Sequence, residues 1–284
     1  MKTTQASVWH YRVVRPLGAG SMGEVYLAQD THLDRPVALK ILTAESARIP
    51  EHRRRFLTET KAVAALNHPN ICTIHDAGET EDGRPFIAME LLVGETLNDR
   101  LSRAGLEMPE LIEIGLQTAD ALSAVHARGI VHRDIKPSNL HVSATGCVKL
   151  LDFGLAKRLV VESATKDTAT LVQTQRGEVL GTPNYMSPEQ ALGKEVDART
   201  DLFSLGVVLY EMVTGRVPFA GESLNETIEK ILHGTPETLT RFNCAVPVEL
   251  ERVILKCLRK APKERYQSAR GLIVDLCGLR ESLR

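Results

Sequence analysis

The spacing of apolar residues changes after about residue 92, and this change limits the folds that the chain can adopt. Before it, short runs rich in β-branched and aromatic residues are separated by Gly, Asp, Pro or Asn, which is typical of strands; they are "YRVVRPLG", "EVYLAQD", "PVALKILT", "ICTIHDAGE" and "PFIAMELL". One helix is predicted among them, from about Glu51 to Leu66, because Pro69 prevents its continuation. Beyond residue 92 apolar residues recur at helical spacing, so we predict a small β lobe followed by a larger α lobe.

Five helices are predicted in the second part of the chain. The first begins at Pro109 and ends at about Ala127. The others are predicted in "DARTDLFSLGVVLYEMVTG", "SLNETIEKILHG", "PVELERVILKCLRK" and "ARGLIVDLCGLRESL". Gly215 and Gly234 end two of them, as glycine often does at a helix C-terminus. Residues 160–178 are rich in Thr, Ser and charged residues without such spacing, and we predict a flexible segment there.

Charge and cysteine content narrow the classes of partner and compartment. The formal net charge of the 284 residues is -1, so no strong field attracts nucleic acid or an anionic membrane. The five cysteines show no metal-ligand spacing, which favours reduced thiols. No apolar run approaches the length of a membrane span. We therefore expect a cytoplasmic protein with no membrane segment in this chain and no nucleic-acid partner.

A polar cluster interrupts the apolar pattern where the helix ending near Ala127 gives way to the apolar run "CVKLLDFG". It occupies "GIVHRDIKPSNL", residues 129–140, and contains His132, Arg133, Asp134, Lys136 and Asn139. Two interpretations are open at this point. The cluster is a solvated turn, or it is a catalytic loop that buried elements hold rigid on both sides.

Three glycines near the N-terminus indicate a second candidate site. Gly18, Gly20 and Gly23 lie between two strand-like runs, so they are predicted to form a hairpin rather than the strand-to-helix turn of dinucleotide-binding folds. Glycines let backbone N–H groups approach phosphate oxygens without obstruction by side chains. A plain tight hairpin is the alternative.

Polar and charged residues in or next to the apolar strands supply further candidates. Lys40 lies within an apolar strand, where its burial is costly unless it is paired, and Glu59 on the predicted helix is the candidate partner. Asp152 and Asn139 offer the oxygen ligands that hard divalent cations prefer. Asp134 is then left to accept a proton from a hydroxyl, and Lys136 to neutralise charge on a transferred phosphoryl group.

The order of these motifs resembles one family. "GAGSMGEV", "VALK", "HRDIKPSN", "DFG" and "SPE" occur in the order of the protein kinase signature, and "NHPNI", "GTPNYMSPEQ" and "RYQSA" are similar to the bacterial, eukaryotic-like serine/threonine kinases. The resemblance implies an α+β, two-lobed protein-kinase fold, with a small antiparallel β-sheet lobe carrying one helix and a larger, mainly α-helical lobe. It implies one catalytic domain over residues 9–281, with the small lobe at about 9–90, a hinge at about 90–94 and the large lobe at about 95–281.

The resemblance also assigns roles to residues. It implies catalysis by Asp134, Lys136, Lys40 and Glu59, and Mg²⁺ ligation, with Mn²⁺ as the alternative ion, by Asn139 and Asp152. The residues that it implies for ATP binding are Leu17, Gly18, Ala19, Gly20, Ser21, Met22, Gly23, Glu24, Val25, Ala38, Lys40, Met89, Glu90, Leu92 and His141. It further implies that Glu189 binds Arg265 and that Asp201 braces the backbone of the catalytic loop.

The implied activity is transfer of the γ-phosphoryl group of Mg·ATP to Ser or Thr hydroxyls of protein substrates, with Lys136 and Thr182 favouring these acceptors over tyrosine. Self-association for autophosphorylation is part of this expectation, with Thr174 as the favoured acceptor. The two alternatives are a pseudokinase scaffold, against which the complete catalytic set argues, and a small-molecule kinase, against which "GTPNYMSPE" argues because such enzymes lack this substrate platform. His141 is a departure, because the family usually places an apolar side chain there, beneath the adenine.

Overall fold

The computed structural model describes residues 7–20, 23–103, 105–152 and 183–283, except for the side chains of Arg55 and Glu59. The chain divides into two compact units, Met1–Val93 and Gly94–Arg284. Each unit has its own sheet.

The first unit is built on an antiparallel sheet of six strands in the order β1-β2-β3-β4-β6-β5. The strands are β1 (Ser7–Val8), β2 (Tyr11–Ala19), β3 (Gly23–Asp30), β4 (Arg35–Leu42), β5 (Ile74–Glu79) and β6 (Pro85–Glu90). Alternate residues of the central strands form a buried core of Tyr11, Ala28, Val37, Leu39, Ile41, Phe86 and Ala88. Trp9 closes one side of this core, since its ring meets that of Phe86 edge to face at 5.1 Å.

Two helices accompany this sheet, where the sequence pattern indicated one. The predicted helix is α2 (Pro50–Ala64), and Pro50 begins it because its missing N–H costs nothing in the first turn. The additional helix is the single turn α1 (Ala44–Ala47), for which the Thr43 side chain accepts a hydrogen bond from the Ser46 N–H at 3.2 Å. One turn is too short to show helical periodicity, which is why the apolar pattern did not reveal it.

The second unit is mainly helical. The α-helices among its described residues are α3 (Leu97–Arg103), α4 (Met108–His126), α5 (Pro188–Ala191), α6 (Ala198–Thr214), α7 (Leu224–His233), α8 (Val248–Cys257) and α9 (Ala269–Ser282). Its short antiparallel sheet, in the order β7-β8-β9, consists of β7 (Glu95–Thr96), β8 (Leu140–Val142) and β9 (Val148–Leu150). The predicted α+β make-up, with a small antiparallel-sheet part and a larger, mainly helical part, is confirmed.

Helix α6 forms the centre of the second unit. Its residues from Asp201 to Tyr210 are all buried, and most of them are apolar, as expected for a helix that is enclosed on every side. The helix ends as predicted at Gly215, which has a φ of 68° that a residue with a side chain adopts with difficulty. The predicted segment 160–178 lies outside the described residues. In the described part of the chain, no helix has the length and apolar character needed to cross a membrane.

Candidate active site

The polar cluster predicted as a catalytic loop lies between α4 and β8 in the second unit. The structure brings three of its side chains together, because Asp134 Oδ2 accepts hydrogen bonds from Lys136 Nζ at 2.9 Å and Asn139 Nδ2 at 3.0 Å. Asn139 Nδ2 also donates to the Asp134 carbonyl at 2.8 Å. The Asp134 side chain is only 14% exposed, so its carboxylate is held by direct contacts rather than by bulk water. Such convergence is not typical of a solvated turn.

Asp201, near the start of α6, fixes the backbone that precedes Asp134. Its Oδ1 accepts the Arg133 N–H at 2.7 Å and its Oδ2 accepts the His132 N–H at 2.8 Å. The carboxylate is fully buried, so these bonds compensate for its desolvation. The predicted brace is confirmed. It also holds Arg133 at a φ of 68°, an uncommon conformation for a residue with a side chain.

His132 connects the catalytic loop to the strand that leads to Asp152. Its ring is buried, its Nδ1 accepts the Asp134 N–H at 3.3 Å, and its Nε2 lies 2.9 Å from the Leu151 carbonyl oxygen. Because Nδ1 accepts, the ring proton is on Nε2, which donates to that carbonyl. Burial lowers the pKa of His132 against the opposing effects of nearby carboxylates, including Asp134 and Asp152. The ring is therefore a neutral linker between the two segments.

Asp152 and Asn139 are placed side by side through their backbones. The Leu151 N–H donates to the Asn139 carbonyl at 2.9 Å, and Asp152 follows with a φ of 45°. Since Asn139 Nδ2 is engaged with Asp134, the amide oxygen Oδ1 is the atom of that side chain that suits a cation. Among the described residues no three His, Cys, Asp or Glu side chains form a metal cluster. An amide and a carboxylate oxygen fit Mg²⁺, which uses few protein ligands together with phosphates and water.

The glycine-rich segment forms the predicted hairpin of the first unit. Gly18 pairs with Val25 and Ala19 with Glu24 across β2 and β3, and the Gly20 N–H donates to the Gly23 carbonyl at 2.9 Å. A Cβ on Gly23 would lie 2.9 Å from the Ile41 carbonyl oxygen, so β4 approaches too closely for any side chain there. Leu17 on β2 is exposed, and Ser21 and Met22 lie outside the described residues.

The remaining candidates of the first unit lie along β4 and β6. Lys40 is opposite Val25, and Ala38 is opposite Met89. Because side chains alternate between the two faces of a strand, these four share one face of the sheet. Glu90, the last residue of β6, accepts the Thr73 N–H through Oε1 at 2.7 Å, and the partly buried Leu92 follows. The predicted pairing of Lys40 with Glu59 involves a side chain outside the described set.

His141 lies in the middle of the small sheet of the second unit, opposite Thr96 on β7 and Lys149 on β9. Burial lowers the pKa of its imidazole from the ordinary value of 6.5, so the ring is neutral at neutral pH. Gly94, with a φ of 145°, passes close to it: a Cβ on Gly94 would lie 2.8 Å from His141 Cε1. The ring position therefore depends on glycine at residue 94.

A buried ion pair holds α5 against the rest of the second unit. Arg265 Nη1 and Nη2 donate to the two carboxylate oxygens of Glu189 at 2.7 and 2.8 Å, as predicted. The pKa of Glu189 is lowered: burial acts to raise it, but the bonds and charge of Arg265, with the Thr200 hydroxyl, outweigh burial. This pair anchors the segment that begins at Pro183.

Comparison with known proteins identifies the family of this arrangement. Residues 11–274 match the family described as "Protein kinase domain". The chain belongs to this family. It is 43% identical over 264 residues to the serine/threonine-protein kinase PknB of Mycobacterium leprae, with 92% of this chain and 41% of PknB covered. It is 40% identical over 267 residues to PrkC of Bacillus subtilis, a serine/threonine-protein kinase, with 94% and 40% covered.

The structural similarity agrees with this assignment. The crystal structure of the PknI kinase domain of Mycobacterium tuberculosis has a TM-score of 0.77 to this chain at 29% identity, covering 99% of this chain and 100% of that one. The chain spans about two fifths of the length of the PknB and PrkC proteins. The resemblance to bacterial, eukaryotic-like serine/threonine kinases that the motifs indicated is confirmed.

Two side chains of this protein kinase domain were not assigned to the site from its sequence. His126, the last residue of α4, bonds to Asp201 Oδ2 through Nε2 at 2.8 Å. Gln190 donates from Nε2 to the Arg133 carbonyl at 2.9 Å. In the sequence, His126 resembles an ordinary helix C-terminal residue and Gln190 an ordinary capping-box residue. Their partners are distant in the chain, so no local signal distinguished them.

Proposed function

We propose that this chain is the catalytic domain of a serine/threonine protein kinase, which transfers the γ-phosphoryl group of ATP to Ser and Thr hydroxyls of protein substrates. The observation that carries the proposal is the carboxylate of Asp134, held between Lys136 and Asn139 at hydrogen-bonding distance. The names of PknB and PrkC, both serine/threonine-protein kinases, support the choice of acceptor.

In this proposal each residue of the loop has one task. Asp134 orients the acceptor hydroxyl and takes its proton on a carboxylate oxygen. Lys136, within 2.9 Å of that carboxylate, neutralises charge on the phosphoryl group in transit. Asn139 Oδ1 and the Asp152 carboxylate hold Mg²⁺, which orients the phosphates and offsets their charge when bound. Mn²⁺ suits the same oxygen ligands.

All but one of the residues proposed to contact the nucleotide belong to the first unit; His141 belongs to the second. The glycine hairpin covers the phosphates with backbone N–H groups, and Lys40, held by Glu59, contacts the α- and β-phosphates. The residues proposed to surround the nucleotide are Leu17, Gly18, Ala19, Gly20, Ser21, Met22, Gly23, Glu24, Val25, Ala38, Met89, Glu90, Leu92 and His141. Support comes from the shared sheet face of Val25, Ala38, Lys40 and Met89.

The test is a transfer assay with three peptides that differ only in a Ser, Thr or Tyr acceptor, with γ-labelled ATP and Mg²⁺ or Mn²⁺. We expect phosphate on the Ser and Thr peptides, on the kinase itself and not on the Tyr peptide. Nucleotide binding without transfer to any acceptor would instead indicate the pseudokinase alternative.

Sedimentation across a range of protein concentrations would test the self-association proposed for autophosphorylation. The cytoplasmic location inferred from the cysteines stays a prediction.

His141→Leu is expected to leave the affinity for ATP at neutral pH nearly unchanged and to remove a loss of affinity at acidic pH. At neutral pH the ring is uncharged, because burial lowers its pKa below 6.5, and it stacks on the adenine much as an apolar side chain would. As the pH falls through that pKa the ring becomes charged and polar, which weakens stacking. Fluorescence titration with ATP between about pH 5 and pH 7 checks this. The exposed His233→Leu is the control, and parallel curves for His141→Leu and wild type contradict the prediction.

Thr174→Ala is expected to lower kcat more than it raises the KM for ATP. Thr174 lies outside the described residues, and its selection rests on its position seven residues before Gly181. A phosphothreonine adds a charge of roughly -1.5 to -2, which Arg133 beside Asp134 can bind. Mass spectrometry of active enzyme before and after phosphatase treatment locates the modification. Fully active enzyme with unmodified Thr174 excludes this role.

A further inference from the structure

We infer that Gln190 is a positioning residue for the catalytic base: it fixes the peptide unit that joins Arg133 to Asp134 and thereby couples the segment around Ser187 to phosphoryl transfer. The inference deepens the proposed kinase function and rests on it for its kinetic part. The Gln190 side chain makes two bonds, and they face in different directions.

The oxygen of the Gln190 side-chain amide bonds to Ser187, the N-cap residue of the same helix, α5. Ser187 caps this helix by accepting the Gln190 N–H at 3.3 Å, and the Ser187 N–H donates back to Gln190 Oε1 at 3.0 Å. This reciprocal arrangement is a capping box. It also settles the orientation of the amide, because an N–H donor requires the oxygen on that side and leaves Nε2 on the other.

The other end of the amide leaves the helix and reaches the catalytic loop. Nε2 donates to the carbonyl oxygen of Arg133 at 2.9 Å, across 57 residues of chain. That carbonyl belongs to the same peptide unit as the Asp134 N–H, which donates to His132 Nδ1 at 3.3 Å. The peptide unit that carries the base is therefore held at both its oxygen and its hydrogen.

The need for this second restraint lies in the conformation of Arg133. Its φ of 68° is uncommon for a residue with a side chain, and such a conformation persists where the surroundings impose it. Asp201 holds only the N–H side of Arg133, at 2.7 Å. Rotation about ψ of Arg133 would leave that bond intact while turning the Asp134 carboxylate. The bond from Gln190 opposes this rotation.

The helix that carries Gln190 is itself firmly anchored. The adjacent Glu189 is bound by Arg265 in the buried ion pair, and Ser187 Oγ lies 3.3 Å from Thr200 Oγ1 on α6. Upstream, Ser204 Oγ donates to the Tyr185 carbonyl at 2.7 Å. A displacement of residues 185–187 is thus transmitted through one amide to the backbone beside Asp134.

The first test is Gln190→Glu, which keeps the acceptor for the Ser187 N–H and replaces the donor facing Arg133 by an oxygen. We expect kcat to fall about tenfold or more, with the KM for ATP changed less than about twofold, since one directed hydrogen bond becomes a repulsive contact. Once the carboxyl group introduced by Gln190→Glu is protonated, it can donate a hydrogen bond to the Arg133 carbonyl in place of the lost amide donor. The ratio of variant to wild-type kcat is therefore expected to rise as the pH is lowered, which a purely structural lesion would not produce.

Gln117→Glu is the matched control. Gln117 on α4 makes the same pair of bonds, with Nε2 donating to the Gly146 carbonyl at 3.0 Å and Oε1 accepting the Val148 N–H at 2.8 Å, but at the β8–β9 turn. We expect its kcat to stay within about twofold of wild type even if its melting temperature falls. A wild-type kcat in Gln190→Glu overturns the inference, as does a loss that Gln117→Glu reproduces or that pH does not relieve.

Hydrogen exchange separates this inference from the proposed function. Gln190→Leu is expected to speed exchange of the Asp134 amide in a fragment spanning residues 130–136, whereas Gln117→Leu is expected to leave it unchanged. This measurement needs no substrate. If the wild-type protein transfers no phosphate, the proposed function fails, and exchange decides whether Gln190 restrains the loop. Unchanged exchange in Gln190→Leu would then overturn the inference.

Discussion

Asp134→Asn is expected to lower kcat by about a hundred- to ten-thousand-fold, the usual contribution of a positioned general base. The amide oxygen of asparagine can accept the bonds that Asp134 Oδ2 receives from Lys136 and Asn139. The loop geometry should therefore survive. What is lost is the negative charge and the ability to take a proton from the acceptor hydroxyl.

Steady-state transfer to a saturating Ser peptide measures the loss, and titration with Mg·ATP is expected to give a dissociation constant close to that of wild type. Asp275→Asn is the control. Asp275 also accepts a hydrogen bond, from the Tyr266 hydroxyl at 2.5 Å, but it lies on α9. Its kcat is expected to stay within about twofold of wild type, as for most substitutions away from a site. Near-normal turnover of Asp134→Asn would exclude Asp134 as the base.

The sequence revealed much of this fold because its signals are local. Short apolar runs bounded by Asp, Pro or Gly mark β4 and β6, and Gly215 ends α6 where the helical pattern stops. The catalytic loop was recognisable because Asp134 and Asn139 stand in an apolar setting where unpaired polar groups are costly. The roles of Asp201 and Arg265 were predicted from the order of the motifs, through the resemblance to protein kinases, and not from composition or spacing.

The remainder depends on contacts that no local pattern records. His126 meets Asp201 across 75 residues, and Gln190 meets the Arg133 carbonyl across 57. A His or Gln at a helix end is most often a capping or solvated side chain. Such a residue contributes to the site only when tertiary packing places a buried acceptor opposite its side chain. Sequence reasoning that weighs each segment separately cannot anticipate such a pairing.

Arg265→Met is expected to lower the free energy of unfolding by about 3–5 kcal/mol, because it leaves the buried carboxylate of Glu189 without its partner. All five N–H groups of Arg265 are used: besides Glu189 they reach the carbonyl oxygens of Arg259, Arg199 and Lys260. The guanidinium also lies 4.8 Å from the centroid of the Phe203 ring. Urea denaturation measures the loss.

Arg241→Met is the matched control, because Arg241 pairs with Glu237 in an exposed i,i+4 arrangement. We expect it to cost less than about 1 kcal/mol. The double variant Glu189→Leu with Arg265→Met is expected to lose less stability than Arg265→Met, since it removes the stranded charge as well. A loss in Arg265→Met no larger than that in Arg241→Met would show that the pair does not anchor α5.

The pair of Glu189 and Arg265 also leads us to expect that the free energy of unfolding depends on pH. In the folded protein Arg265 holds the pKa of Glu189 below its ordinary value of 4.5. A carboxyl group whose pKa is lowered by folding contributes stability above its unfolded pKa and loses it as the pH falls through the folded one. In Arg265→Met the unpaired carboxyl is desolvated without compensation, so it takes up a proton at higher pH and relieves its own burial cost. The difference in unfolding free energy between wild type and Arg265→Met should therefore become smaller as the pH is lowered from neutral through the range where Glu189 titrates. The difference between wild type and Arg241→Met should stay small over the same pH range.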